Sequence, residues 1–163
     1  MNYKNTLYPD ADRITVFEEA LEFQDFVVDI FLKELGIVIS NYSSRYYQNK
    51  YGENRQGIEI KLDTRMTDTK RISFELYEKV NASIPYWTPS GILRNDNSWL
   101  YLQGNYELIY IFSKSFLIKL YEAKYKDKIW QPKDTIKTFL MPFKEADKYC
   151  LKKIYPSNYN YAK

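Results

Sequence analysis

A chain of 163 residues in which 45% of the side chains are apolar is long enough to bury a core and too apolar to be disordered. The sequence contains no histidine and a single cysteine, Cys150. This composition excludes a histidine-ligated zinc site, a histidine-based catalytic triad and an internal disulfide, so any catalysis must use carboxylates, lysine, tyrosine or hard cations.

The length and apolar content predict one domain over residues 1–163. No apolar run approaches the roughly 18 uncharged residues that a membrane-spanning helix needs. The N-terminus MNYKNTLYPDADR lacks the charged-then-apolar layout of a signal peptide. We therefore expect a cytoplasmic protein, with residues 155–163 forming a flexible tail.

Charge is unevenly distributed along the chain, although the formal net charge is only +3. Residues 1–113 carry 12 basic and 16 acidic side chains, whereas residues 114–163 carry 12 basic and 5 acidic ones. An acidic half with clustered carboxylates and a basic half suit a metal-dependent enzyme that acts on nucleic acid. A lysine-rich face that is merely solvated gives the same pattern.

Apolar residues at helical spacing predict a long helix over residues 15–35, and Gly36 is placed to end it. Alternating and continuous apolar segments predict the other elements in chain order: strands over 37–48, 57–63 and 71–79, an irregular excursion with one short element over 80–105, a strand over 107–112, a helix over about 114–125, a strand over 138–142 and a helix over 143–154. The predicted order is α, β, β, β, α, β, α.

The strand GIEIKLD (57–63) carries the strongest functional signal. Its alternation directs Ile58, Ile60 and Leu62 to one face and the ionic side chains to the other. One interpretation is a half-buried strand with a solvated face. The other is a nuclease active site, because Glu59 and Lys61 share the ionic face.

The Glu59-Ile60-Lys61 triplet, the acid in Gly52-Glu53-Asn54 and the αβββαβ order resemble the PD-(D/E)xK, or restriction-endonuclease-like, superfamily of nucleases. The resemblance implies an α/β fold with a mixed central sheet flanked by helices, in which the triplet lies on a central strand. It implies a magnesium-dependent endonuclease that hydrolyses phosphodiester bonds in DNA. Glu53 then takes the place of the first acid, Glu59 that of the second and Lys61 that of the lysine.

The match departs from the superfamily pattern at the first acid, which is Glu rather than Asp and has no preceding proline. Only five residues separate Glu53 from Glu59, which is similar to the compact arrangement of the methyl-directed mismatch-repair endonuclease. The stretches GENRQGIEIKLD, SGILRNDNSWLY and IYIFSK also resemble a group of small phage or prophage proteins of this class.

Oxygen ligands near octahedral geometry are what Mg²⁺ prefers, so Glu53, Glu59 and the backbone carbonyl of Ile60 are candidate ligands for Mg²⁺ or Mn²⁺. Lys61 is placed to stabilise charge that grows on the phosphate or to orient the attacking water. Four acids of the first helix form one ridge, which is either solvated or relieved by a cation. We take Glu22 and then Glu18 as its candidate metal ligands.

Candidate contacts with nucleic acid surround the motif. Basic side chains neutralise phosphates and aromatic rings stack on unpaired bases. The candidate contacts are Arg45, Lys50, Arg55 and Gln56, interleaved with Tyr42, Tyr46, Tyr47 and Tyr51. On the strand 71–79, which we expect to neighbour the motif, Glu75 and Lys79 either support the site or pair across the sheet.

Two alternatives to a nuclease stay open. The same fold can act as a nucleic-acid-binding or protein-binding module without cleavage, and a phage accessory protein can act by occupying a host factor. The expected partner is DNA, with RNA as an alternative. Restriction-like enzymes often form homodimers to cut both strands, although the sequence marks no interface.

Overall fold

The computed structural model describes residues 11–42 and 45–156. The helices are α1 (Ala11–Leu35), α2 (Arg45–Tyr51), α3 (Met66–Thr69), α4 (Lys114–Leu120) and α5 (Phe143–Tyr149). The strands are β1 (Ile58–Leu62), β2 (Arg71–Glu78), β3 (Thr88–Pro89), β4 (Leu100–Gly104), β5 (Ile109–Ser113), β6 (Ile129–Lys133), β7 (Ile136–Pro142) and β8 (Lys152–Ile154). A 3₁₀ turn covers Gly91–Leu93, and a π-helical turn over Tyr121–Tyr125 continues α4. Most of the predicted flexible tail, from residue 157 on, lies outside the described residues.

The strands form two four-stranded sheets. The first sheet has the order β1-β4-β5-β8, with β1 parallel to β4 and the other pairs antiparallel. The second sheet has the order β3-β2-β7-β6 and is antiparallel throughout its described strands. The fold is therefore mixed α/β and contains a sheet of mixed strand direction, as the sequence predicts.

Helix α1 packs on one face of the first sheet. Its side chains Phe23, Val27 and Phe31 are buried at helical spacing against Ile58 and Ile60 of β1. Each such side chain contributes about 1.5–3 kcal/mol when it leaves water. The helix ends where the sequence predicts, at Gly36, whose φ of 63° suits a residue without a Cβ.

The opposite face of the first sheet packs on the second sheet through aromatic rings. The Phe74 ring of β2 lies 5.3 Å from that of Phe112 and 5.9 Å from that of Tyr101, both in the first sheet. It also stacks on Phe139 of β7 at 5.1 Å. Because β1 alternates, the side of Glu59 and Lys61 is the side that faces this layer, and the predicted separation of ionic and apolar faces on β1 is confirmed.

The predicted strand over 37–48 is wrong. Residues 36–42 are irregular apart from a single bridge between Asn41 and Asn54, and α2 begins at Arg45. The alternation of IVIS is typical of a strand, but the residues that follow it form a helix. Side-chain pairs four residues apart stabilise this helix: Tyr47 contacts Tyr51, and Lys50 lies over the Tyr46 ring.

Two expectations about the motif strand are also wrong. β1 lies at the end of the first sheet in the described part of the chain, rather than at its centre. Its neighbour is β4, whereas β2 belongs to the second sheet. The segment between β1 and β2 contains α3, and the chain passes through it from the first sheet into the second. Asp63 holds this segment, because its carboxylate accepts from Ser73 N at 3.1 Å.

Several boundaries differ from the prediction. Within 80–105, where one short element was expected, the structure has three: β3, the 3₁₀ turn and β4, which is an inner strand of the first sheet. β6 was missed because Pro132 lies in it at a sheet edge. The last helix ends at Tyr149, and the chain then adds β8 to β5. Among the described helices, none has both the length and the apolar character needed to cross a membrane.

Candidate active site

Glu53 lies in a tight turn between α2 and β1 that two glycines shape. Gly52 and Gly57 have φ angles of 100° and 71°, which residues with a Cβ rarely adopt. A Cβ on Gly52 would lie 2.0 Å from Asn97 Oδ1, and one on Gly57 would lie 2.4 Å from the Asn97 carbonyl oxygen. Asn97 also donates to the Asn54 carbonyl at 2.9 Å. The glycines therefore let the loop that carries Asn97 close on the turn.

The side chains of Glu53 and Asn54 bond to the free edge of β1. Asn54 Oδ1 accepts from Ile58 N at 2.9 Å, and Asn54 Nδ2 donates to the Ile58 carbonyl at 2.5 Å. Glu53 Oε2 accepts from Ile60 N at 2.7 Å. Since the N–H and C=O of one residue in an extended strand point to the same side, the Ile60 carbonyl faces the edge on which Glu53 lies.

Lys61 lies between the two predicted acidic ligands. Its Nζ donates to Glu53 Oε1 at 3.0 Å and lies 3.0 Å from Glu59 Oε1. The two carboxylate oxygens are therefore no farther apart than twice this distance. The side chains of Glu59 and Glu53 are 1% and 9% exposed, whereas that of Lys61 is 29% exposed. Lys61 is thus the member of this trio that is most open to solvent.

Burial and charge shift the pKa values of this trio. Burial raises the pKa of Glu53, and the neighbouring Glu59 raises it further against the opposing effect of Lys61. Burial by itself would lower the pKa of Lys61, but Glu53 and then Glu59 raise it well above its ordinary value. Lys61 is therefore a permanent cation at neutral pH and is not suited to act as a general base.

A second lysine, Lys114 at the start of α4, ties Glu59 to the loop before β4. Its Nζ donates to Asp96 Oδ1 at 2.7 Å, to Ser98 Oγ at 2.6 Å and to the Arg94 carbonyl at 2.9 Å. It lies 3.9 Å from Glu59 Oε2, which Ser98 Oγ contacts at 3.3 Å. Burial opposes ionisation of Asp96, yet hydrogen bonds from Lys114 and Ser98 hold its pKa below the usual value.

The negative charge of Glu59 raises the pKa of two neighbouring groups, Tyr101 and Arg94. Burial and then Glu59 raise the pKa of Tyr101 well above its ordinary value. Burial opposes the charge of Arg94, but Glu59 is the foremost group that raises the pKa of that guanidinium. Three carboxylates (Glu53, Glu59 and Asp96) thus meet three cations (Lys61, Lys114 and Arg94) in one largely buried network.

The oxygens of this site suit a hard cation. The carboxylates of Glu53 and Glu59 and the Ile60 carbonyl are the ligand type that Mg²⁺ and Mn²⁺ prefer. Glu59 Oε1 is buried and accepts no hydrogen bond from the described residues, and its charged neighbour at 3.0 Å is Lys61 Nζ, the position that a metal ion would have to share or take over. No group of three or more His, Cys, Asp or Glu side chains placed to hold a metal occurs in residues 11–42 and 45–156.

The predicted ligands on the first helix lie elsewhere. α1 covers the face of β1 opposite to Glu59, and Glu18 and Glu22 are exposed on it. Glu22 lies near Tyr106, whose pKa is raised by burial and then by Glu22. The structure therefore does not bring these two helix acids to Glu53 and Glu59.

The predicted nucleic-acid contacts divide into two groups. Lys50 and Arg55 are exposed beside the site. Gln56 instead holds neighbouring segments together. Its side-chain Oε1 accepts from Ser40 N at 3.0 Å, and its backbone carbonyl accepts from Trp99 Nε1 at 2.7 Å. The side chain of Arg45 lies outside the described part of the chain.

Glu75 lies on β2, in the second sheet rather than on a neighbour of β1, and Lys79 directly follows that strand. Glu75 accepts a hydrogen bond from Ser90 Oγ, and its charge acts weakly on Tyr101. Lys79 lies 4.5 Å from the centre of the Trp87 ring. Glu75 therefore borders the network, whereas Lys79 has a structural contact.

Sequence reasoning missed Lys114, Asp96 and Ser98 as members of the site. The signal was present in SGILRNDNSWLY and IYIFSK, where a polar Asp-Asn-Ser run precedes a strand and a lysine directly follows an apolar one. A buried lysine at the end of an apolar strand requires an acidic partner, and Asp96 is that partner.

The site is not recognisable by likeness to known proteins. Comparison with protein-family models, with curated proteins and with solved structures finds no match for this chain.

Proposed function

We propose that this chain is a metal-dependent nuclease that hydrolyses phosphodiester bonds in DNA, on a fold of the restriction-endonuclease-like kind. One observation carries the proposal: Glu53 and Glu59, from two separate backbone segments, converge on a single ammonium group beside the Ile60 carbonyl. A site that gathers two buried carboxylates around one cation is suited to a second, divalent cation.

Glu53, Glu59 and the Ile60 carbonyl would hold Mg²⁺ or Mn²⁺. Such an ion lowers the pKa of a bound water and neutralises charge on a phosphate. With the two carboxylates committed to such an ion, the positive charge of Lys61 would be free to stabilise a phosphate oxygen.

Lys114 and Ser98 keep Glu59 in place. Glu59 Oε2 faces both groups, so the carboxylate has one oxygen held by the protein and the other, Oε1, turned towards Lys61 and Glu53. Asp96 fixes Lys114 in turn at 2.7 Å. This arrangement positions Glu59 before substrate arrives, which reduces the reorganisation that the reaction requires.

A nucleic acid as substrate is supported by the charge of the chain, and we take DNA as the nucleic acid. Residues 114–163 carry an excess of seven positive charges, and Lys50 and Arg55 are exposed next to Glu53 in the sequence. Positive side chains of this kind bind phosphates through release of counterions.

A non-catalytic nucleic-acid- or protein-binding module is the second candidate function. The observation that favours it is the closure of the charge network, in which three cations already offset three carboxylates. In that case Lys61 is a permanent structural partner and no divalent ion enters.

A calorimetric titration with Mn²⁺ separates the two functions. A nuclease site predicts one Mn²⁺ site that Glu53→Gln or Glu59→Gln abolishes, whereas exposed Glu19→Gln on α1 is the matched control and leaves it intact. Lys61→Met should bind Mn²⁺ at least as tightly as the wild type, because it removes the ammonium that competes for both carboxylates. No Mn²⁺ site, or one that survives both glutamine variants, would support the binding module.

Substrate choice is tested in parallel with duplex, branched and single-stranded DNA and with RNA, each with Mg²⁺. Cleavage of at least one DNA substrate is the expected result. Cleavage of RNA alone would contradict the assignment to DNA.

A further inference from the structure

Three tyrosine rings beside the candidate site form a row. Tyr42 stacks on Tyr47 with ring centres 6.1 Å apart, and Tyr47 stacks on Tyr51 at 6.0 Å. Tyr46 meets Tyr47 edge-on at 5.5 Å. We call Tyr42, Tyr47 and Tyr51 the tyrosine row. Its regularity comes from α2, which places Tyr47 and Tyr51 one turn apart.

Two members of the tyrosine row, Tyr47 and Tyr51, are exposed although they pack on each other, and Tyr42 is half-buried. Tyr47 is 49% and Tyr51 43% exposed, and the adjoining Tyr46 is 64% exposed. Adjoining exposed aromatic rings on one surface are a feature that binding sites share.

Hydrogen bonds fix the tyrosine row to the residue that carries the first candidate ligand. Tyr42 N donates to the Glu53 carbonyl at 3.0 Å, and Gln48 Nε2 donates to the Tyr42 carbonyl at 2.6 Å. Gly52 N donates to the Gln48 carbonyl at 3.0 Å. A ligand that stacks on the row is therefore held within a few residues of Glu53.

The charge around the tyrosine row is positive. Lys50 Nζ lies 5.1 Å from the centre of the Tyr51 ring and 5.7 Å from that of Tyr46, and Arg55 is exposed. Glu53 is the single carboxylate in the sequence between residues 42 and 57, and it is buried. The segment 42–57 thus offers aromatic rings and cations together and contributes no exposed carboxylate of its own.

We propose that the tyrosine row binds unpaired nucleotides of single-stranded DNA. Every base has a flat face that stacks on an aromatic ring, and Lys50 is placed to neutralise the phosphate that links such bases. Bases inside a duplex are stacked on one another and cannot reach the rings. The inference rests on the proposed function in that it names the strand presented to Glu53 and Glu59.

The test is the affinity for labelled oligodeoxythymidylate, measured by fluorescence anisotropy in EDTA so that no cutting occurs. Tyr47→Ala should weaken binding about 5- to 150-fold, the range for loss of one stacked base. Tyr47→Phe keeps the ring and should bind within about twofold of the wild type, whereas Tyr47→Leu keeps only the apolar volume and should behave as Tyr47→Ala. Tyr86→Ala, at a tyrosine that is 66% exposed outside the row, is the matched control and should change nothing.

Other results would overturn the proposal. These are wild-type affinity in Tyr47→Ala, an equal loss in Tyr86→Ala, or retained binding in Tyr47→Leu. A fourth is a Tyr47→Ala loss of the same size when the probe is oligodeoxythymidylate annealed to oligodeoxyadenylate. Retained binding in Tyr47→Leu would show that the flat face of the ring is not needed, and an equal loss with the annealed duplex would indicate a general phosphate surface. Failure of the proposed nuclease function can be told apart from failure of this inference. If only the nuclease function fails, the tyrosine row still binds the single strand in EDTA while no substrate is cut with Mg²⁺.

Discussion

Replacement of Lys114 by methionine should be among the most destabilising single changes in this protein. Lys114 is 4% exposed and donates to Asp96, Ser98 and the Arg94 carbonyl, so its removal takes one hydrogen bond from each of these groups and leaves Asp96 with hydrogen bonds from Ser98 and no cation at its carboxylate. Asp96, whose side chain is 2% exposed, would keep a buried charge. This prediction probes the network that holds Glu59, independently of any activity.

The expected loss follows from the burial of the pair. Removing one partner of a buried ion pair costs about 3–5 kcal/mol, because the remaining charge is uncompensated. Each kcal/mol lowers the Tm by about 2–4 °C in a protein of this size, so the Tm should fall by about 6–20 °C. Lys119→Met, at an exposed position of the same helix, should change stability by less than about 0.5 kcal/mol.

Urea unfolding followed by circular dichroism measures both variants. The double variant Lys114→Met/Asp96→Asn should lose less free energy of unfolding than the sum of the losses in the two single variants, because it removes the uncompensated charge of Asp96 together with the lysine. A loss below about 1 kcal/mol in Lys114→Met, or additive losses in the double variant, would refute the reasoning.

Three further predictions concern stability. Phe74→Ala deletes a fully buried ring between the sheets and should cost about 3–5 kcal/mol in urea unfolding, whereas a cost below about 1 kcal/mol would contradict the packing. Gly57→Ala should cost at least about 1–2 kcal/mol, since its φ is 71° and the new Cβ meets the Asn97 carbonyl oxygen at 2.4 Å, and an unchanged urea midpoint would speak against this geometry. A hydrogen bond from Lys153 and, against the effect of burial, one from Tyr110 hold the pKa of Asp147 below its ordinary 3.8. The ionised carboxylate therefore stabilises the fold above that pH and loses its effect as the pH falls through the lower folded-state pKa. Asp147→Asn should reduce the loss of unfolding free energy at acid pH by less than about 1 kcal/mol, since the Asp147 side chain is 48% exposed. An unchanged pH dependence of stability would show that Asp147 does not contribute to it.

Local periodicity accounts for the part of the fold that could be predicted. The apolar spacing of α1 and its end at Gly36 depend on neighbours in sequence, and so does the division of β1 into an apolar and an ionic face. The alternation in 37–48 gave a wrong prediction for the same reason: it is a local signal, and among the described residues this segment forms only the single bridge between Asn41 and Asn54.

Contacts between distant segments could not be predicted. The pairing of β1 with β4 and the assignment of β2 to the other sheet depend on how the layers pack, which alternation does not encode. The candidate site shows the same limit. Glu53, Glu59 and Lys61 are close in sequence and were found, whereas Lys114 joins them only because β4 and β5 pair as a hairpin and bring α4 to the start of β4.

The rate of DNA cleavage with Mg²⁺, compared between the wild type, Glu59→Gln and Lys61→Met, tests the central claim most directly. The account predicts that the wild type cuts DNA with Mg²⁺ or Mn²⁺ and that each variant is slower by about 10²–10³-fold, because it lacks a metal ligand or a positioned charge. DNA binding in Ca²⁺ should stay within about threefold of the wild type, since many dispersed cations share it. Absence of cutting by the wild type, or cutting by Glu59→Gln at the wild-type rate, would contradict the account.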